Sequence, residues 1–279
     1  MKNLDYTFHS HTYRCGHAKG DIEDYVSLAV LKKYKIYGVS DHVFLPGVSE
    51  PTVRGDYSLL DEYINEYKRV KSKYEKDIRM YLGFECEYSD YFVNYYKSLL
   101  KEKGFDFLIC GQHYSYNNNG QRILYLRGSR EEELEMMKHY QFDVIKAMES
   151  GLFMYIAHPD LFYCAAQENT EYFQKMTKAV IDAAIKYDAV LEINLHGVYR
   201  NPLRDGYRYI NYPNEYFWKE VAKTNIKVVL GGDYHDPNEI LMEDAKKQVY
   251  EMIEKYNIKI VDIEDVYKDY RKRIETLLK

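Results

Sequence analysis

Residues 8–17, FHSHTYRCGH, place His9, His11 and His17 within nine positions. On an extended backbone, residues at i and i+2 face the same side, so His9 and His11 can reach one ion together. Further candidate donors recur along the chain: His42 in SDH, Glu85 in GFE, His113 in GQH, His158 in AHP, and Asp233 and His235 in GGDYH. Neutral imidazole and carboxylate are the donors that zinc, manganese and iron use in hydrolytic sites. Nine such groups exceed what one ion coordinates, which implies two or three divalent ions. Other phosphoryl chemistries leave signatures that are missing here. No cysteine is followed by arginine at C-x5-R spacing, no DxD pair follows an apolar strand, and neither an RHG triplet nor a P-loop occurs.

These donors need elements that bring them together. Seven β-rich runs recur: 4–8, 35–40, 78–85, 105–111, 152–157, 189–194 and 226–232, with helical patterns between them. Asp21 is placed to cap DIEDYVSLAVLKKYK, and Asn214 a later helix. Strand–helix alternation argues for a parallel sheet, and seven rounds over this length suggest a closed barrel, although alternation alone also allows an open doubly wound sheet. Six of the nine histidines fall at C-terminal strand ends, with His17 just after the first. That rim is where an α/β barrel gathers side chains from separate strands.

The bulk numbers agree. A length of 279 residues with 46% hydrophobic residues suits one large domain over 1–279. No run approaches the roughly 20 apolar residues of a membrane span, and the N-terminus carries no signal-peptide pattern, so a cytoplasmic protein without membrane association is expected. A net charge of -5 gives no support to nucleic-acid binding. The four cysteines show no CxxC spacing and are expected to stay reduced. The 32 tyrosines are read as amphipathic residues half covering helical faces. Oligomeric state is not set by anything in the sequence.

In order, HSH, GH, SDH, GFE, GQH, AHP and GGDYH resemble the polymerase and histidinol phosphatase (PHP) superfamily, and within it the stand-alone monofunctional histidinol-phosphate phosphatases. The resemblance runs from His9 to His235. It implies an α/β fold, a distorted seven-stranded (β/α)7 TIM-like barrel, with a trinuclear centre of zinc, manganese or iron. By that resemblance His9, His11, Glu85 and Asp233 hold a first ion. Glu85, His113 and His158 hold a second, and His17, His42 and His235 a third. The implied activity is hydrolysis of L-histidinol phosphate in histidine biosynthesis, through a hydroxide bridging two metals. One departure is Gln112, where a small or apolar residue is more usual beside the histidine.

Charge counting points the same way. Two carboxylates against three divalent ions leave a strongly positive site, suited to a small phosphomonoester. Arg200 and Arg204, in the loop 196–212, are candidates to grip the phosphate, Arg200 first because its guanidinium is a forked donor. Asp160 and His196 are candidates to protonate the leaving alkoxide, as is a metal-bound water. The loops 43–57 and 114–128 are long enough to wall or cover the pocket. Three rivals stand beside this reading: a PHP-type phosphoesterase for another small phosphate or a nucleotide, an amidohydrolase or deaminase, and a metal-binding module without turnover.

Overall fold

The computed structural model describes residues 4–117, 119–124, 130–165, 171–200 and 212–279. Four strands form one parallel sheet in the order β1 (Tyr6–Thr7), β2 (Ile36–Val39), β3 (Arg79–Cys86), β4 (Phe107–Cys110). An antiparallel pair, β5 (Tyr114–Tyr116) with β6 (Arg122–Leu124), follows β4. A second parallel pair joins β7 (Leu191–Asn194) to β8 (Val228–Gly231). β2, β4, β7 and β8 are buried at every position, as expected of parallel strands covered on both faces.

The expected fifth strand, 152–157, registers as a single bridging residue, Ile156, which pairs in parallel with Cys110 on one side and Leu191 on the other. Its backbone still bonds both neighbours: Met154 N–H donates to Leu108 O at 2.7 Å and Ile156 N–H to Val190 O at 2.9 Å. At the far edge Ser10 bridges Tyr234, with His11 N–H donating to Tyr234 O and Asp233 N–H to His9 O, both at 2.8 Å. The parallel segments therefore curl around one core, in which Phe8, Phe84, Phe107 and Val229 are buried.

Helices cover the sheet: α1 (Ile22–Leu31), α2 (Leu60–Lys73), α3 (Val93–Lys101), α4 (Arg130–Ser150), α5 (Glu171–Lys186), α6 (His196–Arg200), α7 (Glu215–Val221), α8 (Glu243–Tyr256) and α9 (Ile263–Leu277). Asp21 caps α1 in a reciprocal capping box with Asp24, and the Asn214 side chain accepts from Tyr216 and Phe217 N–H at the start of α7. Both match the sequence pattern.

One expectation is corrected. Tyr63 and Tyr67 of α2 are not half-covering surface groups. They are buried, and their hydroxyls donate to Gly83 O at 3.2 Å and Met80 O at 3.0 Å, tying the helix to β3. Within the loop 114–128, Tyr114–Tyr116 and Arg122–Leu124 pair as the β5–β6 hairpin.

Candidate metal centre

Each strand end delivers its donor to one place. Glu85, the penultimate residue of β3, lies at the middle of it. Its Oε1 is 2.9 Å from His158 Nε2, 3.2 Å from His9 Nε2 and 3.7 Å from His113 Nε2. Its Oε2 is 2.9 Å from His42 Nδ1 and 3.5 Å from His11 Nε2. Asp233 Oδ1 lies 3.0 Å from His11 Nε2, 3.4 Å from His9 Nε2 and 3.4 Å from His235 Nδ1. His17 arrives through the short turn at Tyr13–Cys15 and sets its Nε2 3.2 Å from His235 Nε2. All nine expected donors thus gather on one side of the sheet.

The backbone is bent to do this. His158 and Asp233 adopt φ of 31° and 50°, in the left-handed region that side-chain-bearing residues avoid. Such strain costs about 1–3 kcal/mol per residue and concentrates at functional positions. Close approach is also built in by glycine. A Cβ on Gly111 would stand 1.7 Å from Glu85 Oε1, and one on Gly231 would stand 2.0 Å from Glu192 Oε2.

The donor set fits metal ions on grounds internal to the cluster. His9 Nε2, His11 Nε2, His42 Nδ1 and Glu85 Oε2 are buried, crowd one another, and have no hydrogen-bond partner. Buried polar atoms are normally satisfied, so a cluster of unsatisfied ones calls for a further group. Four outward nitrogens meet an oxygen within hydrogen-bond distance, and that of His11 lies near a carboxylate. His9 Nδ1 faces Glu192 Oε2 at 3.0 Å, His113 Nδ1 faces Glu87 Oε1 at 3.3 Å, and His11 Nδ1 is 3.6 Å from Asp41 Oδ1. His17 Nδ1 faces Cys15 O at 3.1 Å, and His235 Nδ1 faces Asp233 O at 3.0 Å. Protonating Nδ1 in these rings leaves the Nε2 lone pair directed inward, the arrangement that metal-binding histidines adopt. Triplets with all donor atoms within 4.8 Å of one another include His9–His11–Asp233, His9–Glu85–His158, His42–Glu85–His113, His11–His42–His235 and His196–Asp233–His235.

Asp41, Glu87 and Glu192 were not foreseen as members of the site. Glu87 carries a sequence signal in its i+2 relation to Glu85; Asp41 and Glu192 stand at strand ends, which alone does not separate them from solvated termini. They also correct the charge count: five buried carboxyl groups surround the imidazoles rather than two, so the positive excess left for an anion is smaller.

In the metal-free chain these charges control the imidazoles. Burial opposes charge on His9, but Asp233, Glu192 and Glu85 outweigh it and hold its pKa well above the ordinary value. For His11, burial is likewise overcome, by Asp233, Asp41 and Glu85, and the pKa rises to about 9. Burial and repulsion from His11 push His42 and His235 well down. Burial would raise the Glu85 pKa, yet His113, His9 and His42 keep it well below the usual range. Near pH 7.5 the metal-free protein should therefore carry protons on His9 and His11 that metal must displace. Proton release on titration with zinc, read by calorimetry in buffers of different ionisation enthalpy, is the expected result, and affinity should rise as pH rises towards 9. The stability that the His11 proton lends the metal-free fold is complete below the ordinary pKa of 6.5 and is lost as pH climbs through about 9. A pH-independent affinity between 6.5 and 9 would contradict this.

The other candidates divide. His196, the first residue of α6, is 7% exposed, with its ring 4.5 Å from that of His235. Asp160 is fully buried. Its Oδ2 accepts from Asn214 N–H at 2.6 Å and Trp218 Nε1–H at 2.9 Å, and burial pushes its pKa up to about 7. It anchors the start of α7 whatever else it does. Arg200 ends α6, its side chain lying outside the described residues, as does Arg204 entirely. Gln112 points away from the centre and bonds the Tyr88 backbone, its Oε1 accepting from Tyr88 N–H at 2.7 Å. Cys15 and Cys86 take no part in the donor groups among the described residues; burial pushes the Cys15 thiol up to about 12.

Two relatives are named probable histidinol-phosphatase. The one from Schizosaccharomyces pombe is 24% identical over 257 residues, covering 83% of this chain and 81% of that protein. The one from Deinococcus radiodurans is 25% identical over 244 residues, covering 86% and 91%. Among solved structures, the histidinol phosphate phosphatase of Lactococcus lactis, complexed with zinc, L-histidinol and phosphate, superposes with a TM-score of 0.68 at 15% identity, over 92% of this chain and 95% of that one. A candidate histidinol phosphatase from Listeria monocytogenes gives 0.65 at 19% identity, over 84% and 97%. At such identities the structures establish a shared fold. Residues 7–196 match the PHP domain, a span that holds His9, His11, His17, His42, Glu85, His113 and His158, and the chain belongs to that family.

Proposed function

We propose that this protein is a metal-dependent phosphomonoesterase of the histidinol-phosphatase type, converting L-histidinol phosphate and water to L-histidinol and phosphate. The observation that carries the reading is Glu85, one buried carboxylate within 3.7 Å of five imidazoles drawn from four strand ends. In the same reading residues 1–279 form one domain. The segment 152–157 counts as the fifth of seven strands, because it bonds the neighbours on both sides. The cysteines are free, in keeping with a cytoplasmic setting, and no helix among the described residues is long and apolar enough to cross a membrane.

Three divalent ions would be held by His9, His11, Glu85 and Asp233; by Glu85, His113 and His158; and by His17, His42 and His235. Ions so placed supply charge to stabilise phosphoryl oxygens and lower the pKa of water, making a nucleophile at neutral pH. The chain's own residues do the rest. Glu85, shared between two positions, keeps them close, and Asp233 faces both the first position and His235. The walls bury His9, His11, His42, Glu85, His158 and Asp233, so bulk water screens those charges little, while His113 and His235 are partly buried and His17 is exposed. His196 or Asp160 delivers the proton that the leaving alkoxide needs. The two separate cleanly in experiment. Loss of the true donor should slow alkyl phosphates far more than aryl phosphates, whose leaving groups need no proton, when His196→Asn and Asp160→Asn are compared.

Arg200 remains the proposed phosphate clamp. Arg200→Ala is expected to raise KM for a phosphomonoester, by about tenfold or more for loss of a charge-assisted hydrogen bond, with a smaller change in kcat. An unchanged KM rejects the role. The overall reading is tested by phosphate release from histidinol phosphate beside sugar and nucleoside phosphates, using metal-loaded protein. Preference for a nucleotide favours the alternative phosphoesterase, and metal content well below three ions favours an amidohydrolase-like site.

A further inference from the structure

The carboxylate behind His113 is itself held in place. Glu87 follows Glu85 by two residues and so leaves the strand on the same face. Its Oε1 meets His113 Nδ1 at 3.3 Å, while its Oε2 accepts from Arg54 Nη2 at 3.0 Å. Arg54 is 1% exposed and spends its donors on fixed partners. Nε donates to Glu50 Oε2 at 2.8 Å, Nη1 to Val43 O at 3.1 Å, and Nη2 also to the Tyr116 hydroxyl at 2.7 Å. Both ends of the loop 43–57 and the β5–β6 hairpin are thus tied, through one guanidinium, to the carboxylate that faces His113.

A buried ion pair of this kind adds little net stability over apolar residues of similar size, because desolvation offsets most of the attraction. Orientation is what it secures. A carboxylate on the outer nitrogen fixes an imidazole's tautomer and raises its basicity towards a metal. We propose that Arg54 and Glu87 are positioning residues for His113, making metal occupancy at the His113 position and the order of loop 43–57 interdependent. This rests on the metal-centre reading above. Reciprocity follows from linkage: if the ordered loop tightens metal binding, bound metal must order the loop by the same factor.

The test uses Glu87→Gln, which keeps the side chain's shape and its bond from Arg54 but removes the charge behind His113. Metal content is measured after dialysis against graded chelator, and amide hydrogen exchange of residues 43–57 is followed with and without zinc. One ion per chain should be lost at about 10–100-fold higher free metal than in the wild type, with the others retained. Zinc should slow exchange in the loop of the wild type and do so much less in the variant, a difference that a purely structural role would not produce. Arg54→Lys keeps the buried charge matched yet loses the fork, and carries the same test should Glu87→Gln not fold. Variants that retain every ion at wild-type affinity, or a wild-type loop indifferent to bound zinc, would overturn the proposal. A wild-type chain that holds no ion would overturn the metal-centre reading and this one with it.

Discussion

Glu85→Gln is expected to lower kcat for phosphate release by about 10²–10³-fold, the scale seen when one preorganised electrostatic group is removed from an active site. The substitution changes almost no volume, so packing against Gly111 survives. What changes is charge and donor character. The carboxylate faces His158 Nε2 and His42 Nδ1 at 2.9 Å each, and an amide would offer them N–H groups where lone pairs must converge on a cation. Two of the proposed metal positions lose a ligand at once, so metal content should fall together with turnover. Activity and metal content both close to wild type would remove Glu85 from the centre, and with it the reading built on the convergence of five imidazoles.

Stripping the metal should have an effect at least as large. Phosphate release should drop to background and return when zinc or manganese is restored, and the melting temperature should fall. A ligand present at about 100 times its Kd stabilises the folded state by about 2.7 kcal/mol per site. For a chain of this size that corresponds to roughly 5–10 °C for a single site. The fall should stop short of unfolding, because protons on His9 and His11 partly replace the lost cations: Asp233, Glu192 and Glu85 act on the first, and Asp233, Asp41 and Glu85 on the second. Circular dichroism and differential scanning calorimetry of the stripped protein check both halves. Full activity in the presence of a strong chelator, with an unshifted melting temperature, would rule out a metal centre.

The metal donors were legible because of where they stand. An imidazole at the end of an apolar run cannot be a routine surface group when four other runs end the same way, and parallel strands carry such ends to one rim. Of the carboxylates behind the imidazoles, Glu87 had a signal in its spacing from Glu85, but Asp41 and Glu192 had none that singled them out. Glu192 stands in a strand-end tripeptide, EIN, that reads equally well as a solvated terminus. Only the tertiary approach of β7 to the first strand shows that its oxygens meet His9 Nδ1. Arg54 was hidden for a similar reason, since an arginine in a loop between Gly and Pro residues looks solvated until the fold buries it. The fifth strand was read from β-propensity, yet only Ile156 satisfies bridge geometry on both sides. Propensity reports suitability for a pleated surface rather than the register that a neighbour imposes.

The two glycines beside the acidic groups have a practical consequence. Adding a single methyl at Gly111 or Gly231 would put carbon where an oxygen of Glu85 or Glu192 now sits. Anyone transplanting this constellation onto another scaffold must therefore copy the gaps along with the donors. A graft that reproduced all nine ligating side chains on alanine-lined strands would hold the right atoms in the wrong places.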